Sequence, residues 1–301
     1  MRKTVIHIGL PKTATTALQK YVFQVLPAEK FCYLGTRQPR SSNDSKAYMN
    51  VMAALEANTA QATELIDIAK ADLSHIGAEK VVVLSEEMIA VDTNTQWQEK
   101  IARLATVLQG SDSKIIVTVR NPLHAVFSLY VEIFRSVERQ SPTFAQFLLS
   151  NQAKIYDYYY LISVIRESFS ERQICVVPFE NLKSGRDFLS EIERIVECPP
   201  SVNQLPLENN NKVYKGDKVS IVPLSVQAAL DRIVVGTSNE WKRNMVRCIR
   251  CGTKPIRPLL RHIPLTWTQQ LLQPPDANLI AQRYANSNEW LLREYGIPYQ
   301  G

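Results

Sequence analysis

Near its N-terminus the chain reads His7-Ile8-Gly9-Leu10-Pro11-Lys12-Thr13-Ala14-Thr15-Thr16-Ala17-Leu18-Gln19. The overlapping residues 4–8 are rich in β-branched side chains and predict a buried strand, while apolar residues at helical spacing predict a helix over residues 17–26. A helix that begins at such a junction leaves backbone N–H groups at its N-terminus without intrahelical partners. Together with the helix dipole, the Lys12 ammonium and three Thr hydroxyls, these donors predict an anion-binding loop.

This loop differs from the Walker A loop of nucleoside triphosphatases. A Walker A loop needs a Gly directly before its Lys and another Gly five residues before that one. Those positions hold Pro11 and Ile6 here. The sequence therefore argues against an ordinary triphosphate-binding loop, and the identity of the anion depends on other parts of the chain.

The bulk composition predicts a globular protein with a moderately basic surface. The 301 residues are 45% hydrophobic and 21% charged, with a net charge of +6. This charge suits a polyanionic ligand but is too small to predict a nucleic-acid partner. The odd number of cysteines, five, argues against a disulfide scaffold. We interpret Cys248 and Cys251 as reduced thiols, because a structural zinc site needs two further ligands at similar spacing.

The sequence shows no pattern for membrane insertion or secretion. No apolar run is long enough to span a bilayer, and no signal-peptide pattern precedes the strand-like sequence that begins at residue 4. We therefore expect a cytoplasmic protein without a transmembrane segment.

Further predicted strands alternate with predicted helices along the chain. Continuous apolar runs over residues 80–85, 114–119 and 172–177 are typical of strands buried on both faces of a parallel sheet. A short strand is predicted over residues 31–35, and helices over residues 47–73 (one or two), 96–108, 153–169, 187–196, 227–250 and 276–295. The alternation predicts an α/β fold, a three-layer sandwich around a mostly parallel central sheet. We expect one domain, with an α/β core over residues 1–198 and a mainly helical part over residues 199–301.

Polar residues follow two of the predicted strands, at the edge where such sheets bind ligands. Ser85-Glu86-Glu87 ends one strand and Arg120-Asn121-Pro122 ends the next. Pro122 suits the first turn of a helix, which places Ser128 about two turns along it. An Arg and a hydroxyl in this arrangement predict a phosphate-binding pair.

Two motifs together resemble the sulfotransferases that use 3′-phosphoadenosine 5′-phosphosulfate (PAPS). The loop from Pro11 to Thr16 resembles their 5′-phosphosulfate-binding loop, and Arg120-Asn121-Pro122 with Ser128 resembles their 3′-phosphate-binding motif. Both motifs occur in the order found in the family, each at a strand-to-helix boundary. The chain is therefore identified as a member, with the P-loop nucleotide-kinase-like fold that the resemblance implies. Ala14 replaces the usual Gly of the family, which predicts a normal rather than a left-handed backbone there.

The resemblance implies a reaction and a set of binding residues. A sulfuryl group would move from PAPS to an acceptor hydroxyl or amine, without a metal ion. Lys12 would stabilise the leaving phosphate, and the backbone N–H groups of residues 13–16, with the Thr15 and Thr16 hydroxyls, would hold the 5′-phosphate. The full set of expected donor-binding residues is Lys12, Thr13, Ala14, Thr15, Thr16, Arg120, Ser128, Phe179, Lys212 and Lys215.

Some of these assignments leave alternatives open. Phe179 corresponds to the aromatic residue that lies against adenine in the family, yet it would serve equally well as a core residue. Lys212 and Lys215 lie where many relatives have a basic loop over the cofactor phosphates, but a solvated charged loop explains them as well.

An acceptor hydroxyl needs a general base within hydrogen-bonding reach of its proton. Glu87 is the first candidate, because bacterial relatives often have Ser-x-Glu after the corresponding strand. Glu86 is the second candidate and His124 the third. A salt-bridged or capping role for the two Glu residues remains open, and we interpret His7 as a buried structural histidine.

Two other functions are alternatives to sulfuryl transfer. A kinase using ATP and magnesium would share the fold superfamily, but the Walker glycines and an evident Walker B Asp are missing. An inactive PAPS-binding protein would tolerate the loss of Lys12 and Glu87, both of which are present. Carbohydrate is the expected acceptor because His-x-Gly and residues 284–288 look like bacterial polysaccharide-modifying relatives, while lipid, phenol and peptide acceptors stay open.

Overall fold

Five strands pair in parallel into one sheet in the computed structural model, which describes residues 1–35, 45–137, 140–141, 143–181, 186–198 and 277–299. Their order across the sheet is β2-β3-β1-β4-β5. The strands are β1 (Lys3–Gly9), β2 (Phe31–Tyr33), β3 (Val81–Glu86), β4 (Asp112–Val119) and β5 (Ile174–Pro178). Each prediction of a strand in this part of the chain is confirmed, with small differences at the ends.

The register brings the carboxyl ends of four strands to one edge. Ile8 pairs with Glu86, Gly9 with Thr118, and Val119 with Pro178. Residues that directly follow these strands therefore lie near one another, although they are far apart along the chain.

Helices cover both faces of this sheet. They are α1 (Thr15–Leu18), which continues as a π-helical segment (Gln19–Phe23), α2 (Lys46–Glu56), α3 (Thr59–Ser74), α4 (Trp97–Val107), α5 (Pro122–Val137), α6 (Phe144–Leu148), α7 (Tyr158–Arg166), α8 (Arg186–Val196) and α9 (Ala277–Tyr295). Short 3₁₀ segments span Met88–Ala90, Gln152–Tyr156 and Glu171–Gln173. No helix among the residues listed above is long and apolar enough to cross a membrane.

The two faces carry separate hydrophobic clusters. One side packs Leu18 of α1 and Phe188 of α8 against the sheet, and the other packs α2, α4, α5 and α7 in a larger cluster. The chain thus leaves β1 toward one face and β4 toward the opposite face. Such a reversal opens a crevice at the carboxyl ends of the two strands, where ligands bind in open α/β sheets. The predicted three-layer α/β sandwich is confirmed.

Local capping explains where two of the predicted helices divide. The stretch at residues 47–73 is broken after Ala57, because the Asn58 side chain accepts a hydrogen bond from the Gln61 N–H at 3.1 Å and starts α3. Likewise Asp157 caps α7 by accepting from the Tyr160 N–H at 3.2 Å. Several predictions concern residues outside the described ranges: the loop over residues 199–217, the helix over residues 227–250, Lys212, Lys215, Cys248 and Cys251. The division of the domain at residue 198 stays a prediction.

Candidate active site

The loop after β1 is fastened by inward-facing Thr side chains. The Thr13 hydroxyl donates to the Leu10 carbonyl at 2.6 Å and lies 2.7 Å from the Thr118 hydroxyl of β4, while the Thr15 hydroxyl reaches Leu10 at 3.4 Å. A Cβ on Gly9 would stand 2.3 Å from the Thr15 Oγ1 atom, so only glycine permits this close return of the chain. The Thr13 and Thr15 hydroxyls therefore hold the loop to the sheet rather than pointing toward an anion.

The backbone of the loop is left-handed at Lys12, with φ of 70°, and at Ala14, with φ of 62°. The prediction of a normal backbone at Ala14 is wrong. The loop must reverse between β1 and α1 within a few residues, and the hydrogen bond from the Leu18 N–H to the Ala14 carbonyl, 3.1 Å long, fixes the helix start on that turn. The surrounding contacts outweigh a cost of about 1–2 kcal/mol for a left-handed alanine.

His7 lies beneath this loop and has no exposure to solvent. Its Nε2 atom is 3.2 Å from the Thr118 hydroxyl and its Nδ1 atom is 2.7 Å from the Ser85 hydroxyl. Because the Thr13 proton is used at Leu10, Thr118 donates to Thr13 and accepts from Nε2–H, and Ser85 donates to Nδ1. Burial lowers the pKa of His7 to about 3. Both ring nitrogens of the buried His7 are thus hydrogen-bonded, which agrees with its interpretation as a structural histidine.

Arg120 brings the end of β4 against the loop. Its Nη1 atom donates to the Lys12 carbonyl at 2.8 Å. The guanidinium carbon lies 4.6 Å from the centre of the Phe179 ring, within the range of a cation–π contact. Burial lowers the pKa of Arg120 and the neighbouring Glu180 opposes that shift, so the guanidinium stays charged. The two cationic residues predicted from separate motifs therefore meet at one edge of the sheet.

The Lys12 ammonium is paired with a carboxylate. Its Nζ atom lies 2.8 Å from Glu132 Oε2 on α5; the Lys12 side chain is 16% exposed and that of Glu132 is 53% exposed. Sequence reasoning missed Glu132. The sequence feature that could have indicated Glu132 is its helical spacing, since it follows Ser128 by four residues and lies on the same face of α5.

The two consecutive Glu residues occupy different environments. Glu86 is fully buried and accepts hydrogen bonds from the Tyr48 hydroxyl at 2.5 Å and the Met88 N–H at 2.9 Å. Glu87 is half-buried beside Lys12 and Glu132. Burial, and next the charge of Glu132, raise its pKa to about 7, and Lys12 partly opposes this. A carboxylate with a pKa near neutral pH can accept a proton from a hydroxyl, whereas both oxygens of Glu86 already accept hydrogen bonds.

Three other predicted residues lie at the same edge. Thr16 is half-buried in the first turn of α1, Ser128 is half-buried on α5, and His124 is exposed in the first turn of α5. Of the three, His124 is the most exposed to solvent.

Aromatic side chains from the middle of the chain hold the two cationic segments in place. The Tyr156 hydroxyl donates to the Pro11 carbonyl at 3.0 Å. The Tyr158 hydroxyl donates to the Arg120 carbonyl and accepts from the Arg120 N–H. Glu180, next to Phe179, accepts from the Asn121 N–H at 2.9 Å. Sequence reasoning missed these contacts, because their partners are distant along the chain.

The described part of the chain was predicted to work without a metal ion. Within it, no group of three or more His, Cys, Asp and Glu side chains is arranged to hold an ion.

The chain is similar to one protein family and to solved structures. The family model described as "Sulfotransferase family" matches residues 5–198, more than half of the chain. Among curated proteins, none matches. Two solved structures are similar. A sulfotransferase from Alicyclobacillus acidocaldarius is 15% identical, with 81% of this chain and 99% of that chain covered and a TM-score of 0.44. The sulfotransferase domain from the Curacin biosynthetic pathway is 12% identical, with 67% and 76% covered and a TM-score of 0.40.

The assignment depends on the family model, which spans the anion-binding loop, Glu87, Arg120 and Phe179. These are the residues that the fold gathers at the carboxyl edge of the sheet. The chain therefore belongs to the sulfotransferase family.

Proposed function

We propose that the protein transfers a sulfuryl group from PAPS to an acceptor hydroxyl, with carbohydrate as the expected acceptor class. The single observation that carries the proposal is the 2.8 Å hydrogen bond from Arg120 to the Lys12 carbonyl. It sets a guanidinium beside an ammonium-bearing loop at the sheet edge. An ammonium and a guanidinium from separate motifs then face one ligand, which suits the two phosphates of this donor.

Each residue has a role that follows from its position. Lys12 stabilises the negative charge that develops on the 5′-phosphate as its bond to sulfur breaks. The backbone N–H groups at the start of α1 and the Thr16 hydroxyl hold that phosphate. Arg120 and Ser128 bind the 3′-phosphate, and Phe179 packs beneath the guanidinium. Positioning and charge stabilisation supply most of the catalysis, by analogy with phosphoryl transfer.

Glu87 accepts the proton of the acceptor hydroxyl. As the acceptor oxygen bonds to sulfur, its O–H bond breaks and the proton moves to the carboxylate, while the electron pair of the broken S–O bond stays on the leaving phosphate. With its pKa near 7 the carboxyl group is about half ionised at neutral pH. It then combines a useful ionised fraction with a useful proton affinity.

The nature of the acceptor rests on sequence resemblance. Three residues of the stretch that carries it, Tyr284, Ser287 and Asn288, are buried, and the Tyr284 hydroxyl donates to the Ala153 carbonyl at 3.0 Å. Those side chains hold α9 against the core and are not assigned a contact with the acceptor. Carbohydrate as the acceptor and the cytoplasm as the location stay predictions.

Calorimetry tests the donor. We expect adenosine 3′,5′-bisphosphate to bind more tightly than ADP or ATP, with or without magnesium. Arg120→Ala should weaken bisphosphate binding by about 30-fold, since hydrogen bonds to a charged group contribute about 2 kcal/mol. Arg293→Ala is the matched control, because that exposed guanidinium pairs only with the neighbouring Glu294 among the described residues. Preference for ATP with magnesium would instead identify a kinase.

A further inference from the structure

The last described residues of the chain return to the core after α9. Gly296, with φ of 65°, ends the helix, and its N–H donates to the Leu292 carbonyl at 3.0 Å. Ile297 is 5% exposed and Tyr299 is 8% exposed. The tail, residues 296–299, is therefore packed against the protein.

Tyr299 packs on a residue that holds Arg120. Its ring centre lies 6.2 Å from that of Tyr158, whose hydroxyl makes hydrogen bonds with both backbone polar groups of Arg120. The backbone N–H of Tyr158 in turn donates to the Ser287 hydroxyl of α9 at 2.7 Å. Helix α9 and the tail thus fix the same tyrosine.

The Tyr299 hydroxyl also lies beside the Glu180 carboxylate. Glu180 uses Oε1 to bind the Asn121 N–H at the start of α5. Its Oε2 atom and the Tyr299 hydroxyl are both buried without another partner in the described ranges, and the phenol lies close enough to Glu180 to hydrogen-bond it. Burial, and then the neighbouring Tyr158 and Glu180, raise the pKa of Tyr299, so the phenol keeps its proton as a donor. A hydrogen bond between the phenol and the carboxylate leaves neither buried atom unpaired.

We propose that Tyr299 is a positioning residue of the donor site, which steadies Glu180 and Tyr158 and thereby holds Arg120 where the 3′-phosphate binds. The inference rests on the proposed function. The tail touches the backbone supports of Arg120 rather than the loop around Lys12. A change at Tyr299 should therefore affect recognition of the 3′-phosphate and leave recognition of the 5′-phosphate intact.

Two ligands separate these effects. Adenosine 3′,5′-bisphosphate uses both phosphate-binding regions, whereas AMP lacks the 3′-phosphate. Calorimetry on Tyr299→Phe should show bisphosphate affinity lowered by about fivefold, the effect of one hydrogen bond, with AMP affinity unchanged. Glu180→Gln should lower bisphosphate affinity in the same way. The double variant should lose less than the product of the two single effects, because the residues act together.

Tyr295→Phe is the matched control. It removes a phenol from the same end of the chain, but that hydroxyl bonds Glu171 and Arg166 at 3.1 and 3.4 Å on the surface. Both affinities should stay unchanged in this variant. An equal loss for both ligands in Tyr299→Phe, or no loss for either, overturns the inference. Failure of the unaltered chain to prefer the bisphosphate over AMP refutes the proposed function, and this inference with it.

Discussion

Replacing Glu132 by Gln should strengthen donor binding, because Glu132 holds the ammonium that the donor needs. Lys12 Nζ and Glu132 Oε2 are 2.8 Å apart, so opening the pair precedes any contact between Lys12 and a phosphate. The Coulomb energy of two unit charges at that separation in water is about 1.5 kcal/mol. Since the Glu132 side chain is 53% exposed, we expect a net pair energy of about 1 kcal/mol.

When the competing carboxylate is removed, donor binding no longer has to break this ion pair and becomes more favourable by the same energy. Glu132→Gln should therefore bind adenosine 3′,5′-bisphosphate about fivefold more tightly in calorimetry. The gain should shrink at higher ionic strength, because salt screens an exposed pair. Glu64→Gln is the matched control. It removes one exposed carboxylate from α3 and changes the net charge equally, so it separates the local effect from a general increase in positive charge.

The same variant changes the pH dependence of the reaction. The Glu132 charge raises the pKa of Glu87, so removing that charge should lower this pKa. A general base works when it is ionised, and the acidic limb of the rate profile should move to lower pH. Equal bisphosphate affinity in Glu132→Gln and Glu64→Gln, with an unmoved acidic limb, would refute the proposed competition at Lys12.

Two further predictions concern the base and the loop. Glu87→Gln should lower kcat by about 100-fold or more, while bisphosphate affinity stays within about twofold. In the unaltered enzyme the rate should fall as pH drops below about 7, where Glu87 becomes protonated, and this limb should vanish in the variant. Full turnover by Glu87→Gln would remove it as the base. Gly9→Ala places a methyl group 2.3 Å from Thr15 Oγ1, so thermal unfolding should show a loss of about 1–3 kcal/mol, together with weaker bisphosphate binding. Gly77→Ala should cost less, because its new methyl group would meet the flexible end of Glu79; equal stability losses would contradict the steric argument.

The strands were predictable because a strand buried on both faces requires a continuous run of apolar residues. Residues 81–84 and 115–117 are continuous apolar runs, and a strand in a helix-covered parallel sheet requires such a run. The two cationic residues, Lys12 and Arg120, were predictable because each sits at a strand-to-helix boundary, and parallel strands place these boundaries at one edge.

The left-handed Ala14 was not predictable from residue preferences alone. Alanine prefers right-handed backbone, but here the contacts of the loop with Leu10, Thr118 and Leu18 select the conformation. Local preference is a weak constraint where several tertiary hydrogen bonds oppose it.

Contacts that join distant parts of the chain were also missed. Glu180 and Tyr299 reach the Arg120 segment from positions distant along the chain, 59 residues in the contact of Glu180 with Asn121, and no spacing rule connects them. Glu132 was within reach of helical periodicity, but nothing in the sequence indicates that its carboxylate would turn toward Lys12.

The inward-facing hydroxyls of Thr13 and Thr15 have a kinetic consequence. They tie the loop to Leu10 and the sheet without help from any ligand. The entropic cost of ordering this segment is met during folding, so we expect an anion to bind a loop that is already preorganised. Its association rate should then depend on diffusion and on the attraction of a chain with a net charge of +6, rather than on slow rearrangement of the backbone.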